Sequence, residues 1–141
     1  KDIIITAGGK NVSPIPLEEE ITKCPIVEHC VVVGDQRPFI GALITLDPEA
    51  LALWLPAHGL SVDTPMNRLA ANAEIRETIQ EYVDKANATV SRAESVRKFV
   101  VLDQQLTQDN GCLTPSLKVV RPAVNRVFAN VIGTELYGDK R

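Results

Sequence analysis

Two apolar, β-rich runs, Val27 to Val33 (VEHCVVV) and Phe39 to Leu46 (FIGALITL), constrain the fold more than any other part of this chain. Gly34-Asp35-Gln36-Arg37-Pro38 lies between them, a cluster of turn formers, so the pair reads as a β-hairpin. Its apolar density requires that both faces be largely covered, and the remaining sequence supplies the covers. Ser13 can cap a helix with Pro14 at its first position and Glu18, Glu19 and Glu20 in its early turns; Leu17, Ile21 and Cys24 share a face, and Pro25 stops it. Asp47-Pro48 opens a second helix with a stripe of Leu51, Trp54 and Leu55 that ends at Gly59. After a polar linker, Ser61 to Pro65, a longer helix from Leu69 to Val90 carries Ile75, Ile79, Tyr82, Val83, Ala86 and Val90 on one face, and Arg76, Glu77, Glu81 and Lys85 on the other. Val96 to Leu102 reads as a strand with Arg97 and Lys98 toward solvent. Pro122 opens a final helix whose stripe is Val124, Val127, Phe128, Val131 and Ile132, with Gly133 as its stop and a loose polar tail from Thr134 to Arg141. The order predicts an α+β fold: a small, mostly antiparallel sheet covered by helices and preceded by a short N-terminal hairpin.

That N-terminal hairpin comes from Ile3 to Ile5, a tight turn at Gly8-Gly9, and a return through Asn11-Val12. Bare backbone at the glycines lets a ligand approach the main chain, and Lys10 adds a positive charge beside it; a plain hairpin turn is the simpler reading of the same residues. The pattern is not a phosphate-binding P-loop, because Asn11-Val12 follows the lysine where that motif runs into a helix through Ser or Thr. A second polar, turn-rich stretch, Asp103 to Ser116, is long for a compact domain, and it leads into Leu117-Lys118. A lysine within about 4 Å of a phosphate oxygen gains roughly 4 kcal/mol at an effective dielectric near 20, so both lysine-bearing loops suit a phosphate-rich ligand. A solvated surface charge is the competing reading for each lysine.

The 141 residues fit one domain, with 45% hydrophobic and 23% charged residues. A net charge of −3 and the lack of a basic stripe argue against nucleic acid as a partner. Cys24, Cys30 and Cys112 form no C-x-x-C pair, and His29 and His58 sit in no metal-ligand pattern, so no metal site, disulfide framework or complete catalytic constellation is indicated. No apolar run reaches transmembrane length, and a cytoplasmic setting is expected. The only methionine is Met66 and the chain starts on Lys1, so a piece of a longer protein is expected.

The two loops together resemble a known pair. KDIIITAGGKNVSP at the start and LTPSLKVVRP near the end are similar to the two C-terminal-domain motifs of the adenylate-forming, AMP-binding superfamily, with the long-chain fatty acyl-CoA synthetases as the nearest branch. GDQRPFIGALITLDPEAL, the long helix and the final helix are arranged as in that branch, so the resemblance spans the whole chain. It implies one mobile lid domain over 1–141, divided into a hinge and CoA-side loop (1–14), an α+β core (15–102), a catalytic-lysine loop (103–121), a final helix (122–133) and a tail (134–141). It implies further that the full-length enzyme uses ATP with Mg²⁺ to activate a fatty acid as acyl-AMP and then transfers the acyl group to CoA. The lid would rotate against an N-terminal adenylation domain between the two steps and be inactive alone.

Position by position, the resemblance assigns Lys1 and Asp2 to the hinge, and Gly8, Gly9 and Lys10 to the CoA-side loop that lines the pantetheine path. Lys118 becomes the catalytic lysine of adenylation, with Thr114 and Ser116 in its supporting loop. Two departures stand out. Leu117 replaces the Gly that many superfamily members carry before the lysine, as is usual in the long-chain branch. Val120 stands where that branch often has another lysine, so no extra phosphate contact is implied there. The role of Lys10 stays open between a solvated charge and a CoA phosphate contact. Two other readings remain: the lid of a fatty acyl-AMP ligase that serves a carrier protein, and a non-catalytic α+β interaction module. Acyl-chain preference belongs to the missing domain, and peripheral membrane association of the full-length enzyme is compatible with this sequence.

Overall fold

The computed structural model describes residues 2–140. A two-stranded antiparallel hairpin, β1 (Ile4–Ile5) and β2 (Asn11–Val12), leads into α1 (Pro14–Ile21). The central sheet has the order β3-β4-β5, from Val27–Val33, Ile40–Leu46 and Val96–Val101. β3 and β4 pair antiparallel as the hairpin signal requires, whereas β5 adds to β4 in parallel. Between β4 and β5 come α2 (Pro48–Ala57), α3 (Met66–Ala70) and α4 (Ala73–Asn87), the crossover that a parallel neighbour needs. Two of the three strand pairings are antiparallel, and the class is the α+β arrangement read from the sequence.

Both sheet faces are covered. On one side Leu17 and Ile21 of α1 and Ile75, Ile79 and Val83 of α4 pack on Cys30, Val32, Ala42 and Ile44. On the other, Val31, Val33, Leu43 and Val100 meet Cys112, Val124, Phe128, Ile132 and Leu136. Alternate residues of β3 therefore point into two different cores, which explains why its sequence shows no polar alternation.

Several boundaries differ from the sequence reading. The single helix expected from Leu69 to Val90 is two, because the Asn72 side chain accepts a hydrogen bond from the Ile75 N–H at 2.9 Å and starts α4 afresh. That helix ends at Asn87, whose amide exchanges two hydrogen bonds with the Val96 backbone (2.7 and 2.9 Å) and so aims the chain into β5. The glutamates of α1 lie past its first turn.

The final helix is interrupted as well. α5 (Arg121–Val127) and α6 (Ala129–Val131) are separated at Phe128, and a wider π turn, Ile132–Leu136, follows. The break keeps Phe128, Ile132 and Leu136 in the core and leaves Val127 42% exposed, so the expected stripe loses that member. Gly133 lies inside the π turn and is not the stop. Nor is the tail loose up to Asp139: Leu136 is buried, the Tyr137 hydroxyl donates to the Phe39 carbonyl at 2.9 Å, and Asp139 pairs with Arg37. Burial pushes the Tyr137 phenol up to about 12, so it stays a neutral donor.

Candidate functional site

The sequences TAGGK and TPSLK fold into the same five-residue turn. In Thr6 to Lys10, the Thr6 N–H donates to the Lys10 carbonyl (3.0 Å), the Gly9 N–H to the Thr6 carbonyl (2.9 Å), and the Lys10 N–H to Thr6 Oγ1 (3.1 Å). In Thr114 to Lys118 the three equivalent bonds are 2.8, 2.8 and 3.0 Å. Each is a type I turn followed by a left-handed residue, the usual three-residue hairpin connection. Gly9 takes that left-handed position at φ +87°, and Leu117 takes it in the second turn at +65°. Both turns end on an exposed lysine, and among the described residues neither ammonium has a hydrogen bond or ion pair.

Each turn stands on a fixed base. Ile4 and Val12 are buried beneath the first, and the hairpin is tied to the β3–β4 turn by Gln36 N–H to the Ile5 carbonyl (2.8 Å) and Ala7 N–H to the Arg37 carbonyl (2.8 Å). Beneath the second, Leu113 bridges Val119, and the Val120 N–H donates to the carbonyl of fully buried Cys112 at 2.8 Å. Thr114 and Ser116, read as supporting residues, share a hydroxyl contact of 3.1 Å, so the threonine that receives the Lys118 N–H is itself held. The irregular loop before them is stitched by Asn110, whose Oδ1 accepts from the Thr107 and Cys112 N–H groups at 3.1 and 3.0 Å.

Leu117 is unusual at a position that favours glycine: it is left-handed and 62% exposed. Leu117→Gly is expected to stabilise the chain by about 0.5–1 kcal/mol, through relief of backbone strain partly offset by unfolded-state entropy. Leu117→Ala, which keeps its Cβ, should bring no such gain. Urea unfolding of the two variants side by side measures the difference; equal midpoints would mean that the turn does not strain Leu117.

Beneath the second turn lies a charged pair whose importance the sequence reading missed. Arg121, three residues past Lys118, makes a bidentate contact with Glu18 of α1 (Nη1 to Oε2 2.7 Å, Nη2 to Oε1 2.9 Å) and donates to the Val32 carbonyl at 3.2 Å. Glu18 Oε2 also accepts the Val32 N–H at 2.7 Å. The Arg121 Nε atom is buried without a hydrogen bond and faces Asp2 Oδ2 at 3.7 Å, an ion pair that links the start of the first motif to the end of the second. The hydrogen bonds it donates to the Glu18 carboxylate hold the Arg121 guanidinium above its ordinary pKa. The sequence signal was available in the RP that closes LTPSLKVVRP, and in the shared Thr-x-x-x-Lys spacing of the two turns.

The other expected site residues fall out simply. Gly8 and Gly9 are exposed at the tip of the first turn, with open space where a side chain would be. Asp2 is joined to Arg121, and Lys1, assigned to the hinge, lies outside the described residues. All three cysteines are buried thiols, with Cys30 pushed well up by burial, which suits core packing and not nucleophilic chemistry. No group of three or more His, Cys, Asp or Glu that could hold a metal occurs among the described residues. No helix among them is long and apolar enough to cross a membrane.

A three-stranded sheet between two helical layers, with two exposed lysine turns outside the sheet, defines a small α+β domain. The family model for the AMP-binding enzyme C-terminal domain matches residues 1–141, and the chain belongs to that family. It is 46% identical over 132 residues to the long-chain-fatty-acid–CoA ligase FadD15 of Mycobacterium tuberculosis, covering 94% of this chain and 22% of that protein. To the long-chain-fatty-acid–CoA ligase ACSBG2 of Gallus gallus it is 31% identical, covering 99% of this chain and 20% of the relative. The chain thus spans about a fifth of the length of the curated relatives it matches. Among solved structures, the adenylation domain of a carboxylate reductase from Mycobacterium chelonae superposes with a TM-score of 0.71 at 24% identity, over 97% of this chain and 19% of that one. A fatty acyl CoA synthetase from Mycobacterium tuberculosis gives 0.53 at 16% identity, over 92% of this chain and 20% of that one. These two likenesses support the fold.

Proposed function

We propose that this chain is the mobile C-terminal domain of a long-chain fatty acyl-CoA synthetase, acting with an N-terminal adenylation domain of the same polypeptide. The observation that carries the reading is the pair of matching turns, each offering an exposed lysine on a hydrogen-bonded hairpin. Lys118 is the catalytic residue of adenylation, where its charge meets the carboxylate and phosphate oxygens of the reacting fatty acid and ATP. Thr114 and Ser116 keep its backbone in place. Gly8 and Gly9 line the path of the CoA thiol arm in the second step, and Lys10 borders it. Lys1 and Asp2 form the hinge about which the domain rotates between steps, and the isolated domain is inactive.

ATP, fatty acid and CoA are the substrates. Mg²⁺ enters with the nucleotide. The relatives' names favour CoA as acceptor over a carrier protein. Offering CoA and acyl carrier protein separately to the full-length enzyme, with ATP and a long-chain fatty acid, tests the reading. Acyl-CoA as the product is expected; acylation of the carrier protein alone would replace the synthetase by an acyl-AMP ligase.

A further inference from the structure

The C-terminal segment makes contacts that the functional reading above does not use, and they converge on one residue of the β3–β4 turn. Arg37 Nη1 and Nη2 reach the two carboxylate oxygens of Asp139 at 3.0 and 2.9 Å, a parallel fork. Its guanidinium lies 4.7 Å above the Tyr137 ring, and that ring packs on Phe39 with centroids 4.8 Å apart. The Tyr137 hydroxyl is bonded to the Phe39 carbonyl, so it grips the first residue after the turn cluster. Asp139 is in turn fixed by its N–H to the Gly133 carbonyl at 2.8 Å, and a Cβ on Gly133 would come within 2.9 Å of the Asp139 carboxylate. Gly133 is therefore the floor on which that carboxylate sits.

The same Arg37 supplies, from its backbone carbonyl, the acceptor for the Ala7 N–H at the base of the Gly8-Gly9 tip. Beside it, Asp35 Oδ1 accepts the Ile5 N–H at 3.2 Å. One residue is thus held by its side chain to the C-terminus and by its main chain to the N-terminal hairpin. The paired carboxylate and guanidinium are exposed by about a third or more, 43% and 34%, so their contribution to global stability is small. A contact that adds little to stability yet fixes the orientation of a loop fits positioning better than packing.

We propose that Tyr137 and Asp139 are positioning residues for the Gly8-Gly9 hairpin, acting through Arg37 to hold its tip in the geometry needed for acyl transfer. The inference rests on the reading of that hairpin as the CoA-side loop. Asp139→Asn breaks the fork, Tyr137→Phe removes the grip on Phe39, and Asp139→Glu serves as the conservative rescue. In the full-length enzyme, Asp139→Asn is expected to raise the KM for CoA roughly threefold to fivefold, the scale of one exposed charge pair, while fatty-acid-dependent ATP–pyrophosphate exchange stays unchanged. Amide hydrogen exchange across residues 5–10 should speed up in parallel, and Asp139→Glu should restore both.

Unchanged amide exchange in the hairpin would overturn the positioning link, whatever the kinetics. Faster exchange with an unchanged KM for CoA, or equal losses in both half-reactions, would overturn its role in acyl transfer. If the wild-type enzyme forms no acyl-CoA, the synthetase reading fails separately, and the amide-exchange arm still decides whether the C-terminus holds the hairpin.

Discussion

Lys118→Ala in the full-length enzyme is expected to lower fatty-acid-dependent ATP–pyrophosphate exchange by about a hundredfold to a thousandfold, the usual consequence of removing one preorganised charge from a developing oxyanion. Acyl transfer from supplied acyl-adenylate to CoA should be largely kept. The asymmetry follows from the proposed role of Lys118 in adenylation alone, and the geometry makes the variant a clean test of it. Lys118 is exposed and without a hydrogen-bond or ion-pair partner among the described residues, so truncating it disturbs no fold contact. Its backbone position depends on Thr114 and on the bridge from Leu113 to Val119, all of which survive the substitution. Effects confined to one half-reaction would mean that one residue serves one rotational state. Equal loss of both steps would instead give Lys118 a shared or structural role, and no loss would remove it from the site.

The second large effect is on stability. Arg121→Ala is expected to cost about 3–5 kcal/mol, because Glu18 would be left mostly buried with the Val32 N–H as its remaining partner. Glu18→Ala should cost a similar amount, since Arg121 would keep only the Val32 carbonyl and the longer contact to Asp2. Replacing both partners together with apolar residues of similar volume should cost less than either single change, because no orphaned charge remains. Urea midpoints of the singles and the double measure this. Single losses below about 1 kcal/mol would place the pair in the class of solvated surface bridges.

Much of this domain can be read from local sequence because local physics decides it. The β3–β4 hairpin follows from two apolar runs around a turn cluster, and the start of α2 from Asp47, whose carboxylate accepts from the Glu49 N–H at 3.0 Å and the Ala50 N–H at 3.4 Å. The lysine turns were legible as loops, and their motifs identified the family. Their common geometry was not read, although Thr6 and Thr114 stand at the same distance before Lys10 and Lys118. A threonine's role as acceptor for a lysine N–H four residues on shows only once the turn is closed.

Where long-range packing chooses between local options, the sequence reading went astray. A continuous apolar stripe from Val124 to Ile132 is compatible with one straight helix, but the pocket behind β3 and β4 takes Phe128, Ile132 and Leu136, and the helix breaks to deliver them. Thr134 to Asp139 looks polar and free by composition; its hold on the fold comes from Leu136, Tyr137 and Asp139 meeting residues about a hundred positions earlier in the chain. The sequence by itself determined the strands, the starts of α1 and α2, the two motif loops and, through those motifs, the family, because each strand, helix start and loop depends on residues within a few positions of one another. Only the tertiary structure decided the Arg121–Glu18 pair, the parallel addition of β5 and the docking of the C-terminus on Arg37, because each depends on which distant surfaces the closed core brings together.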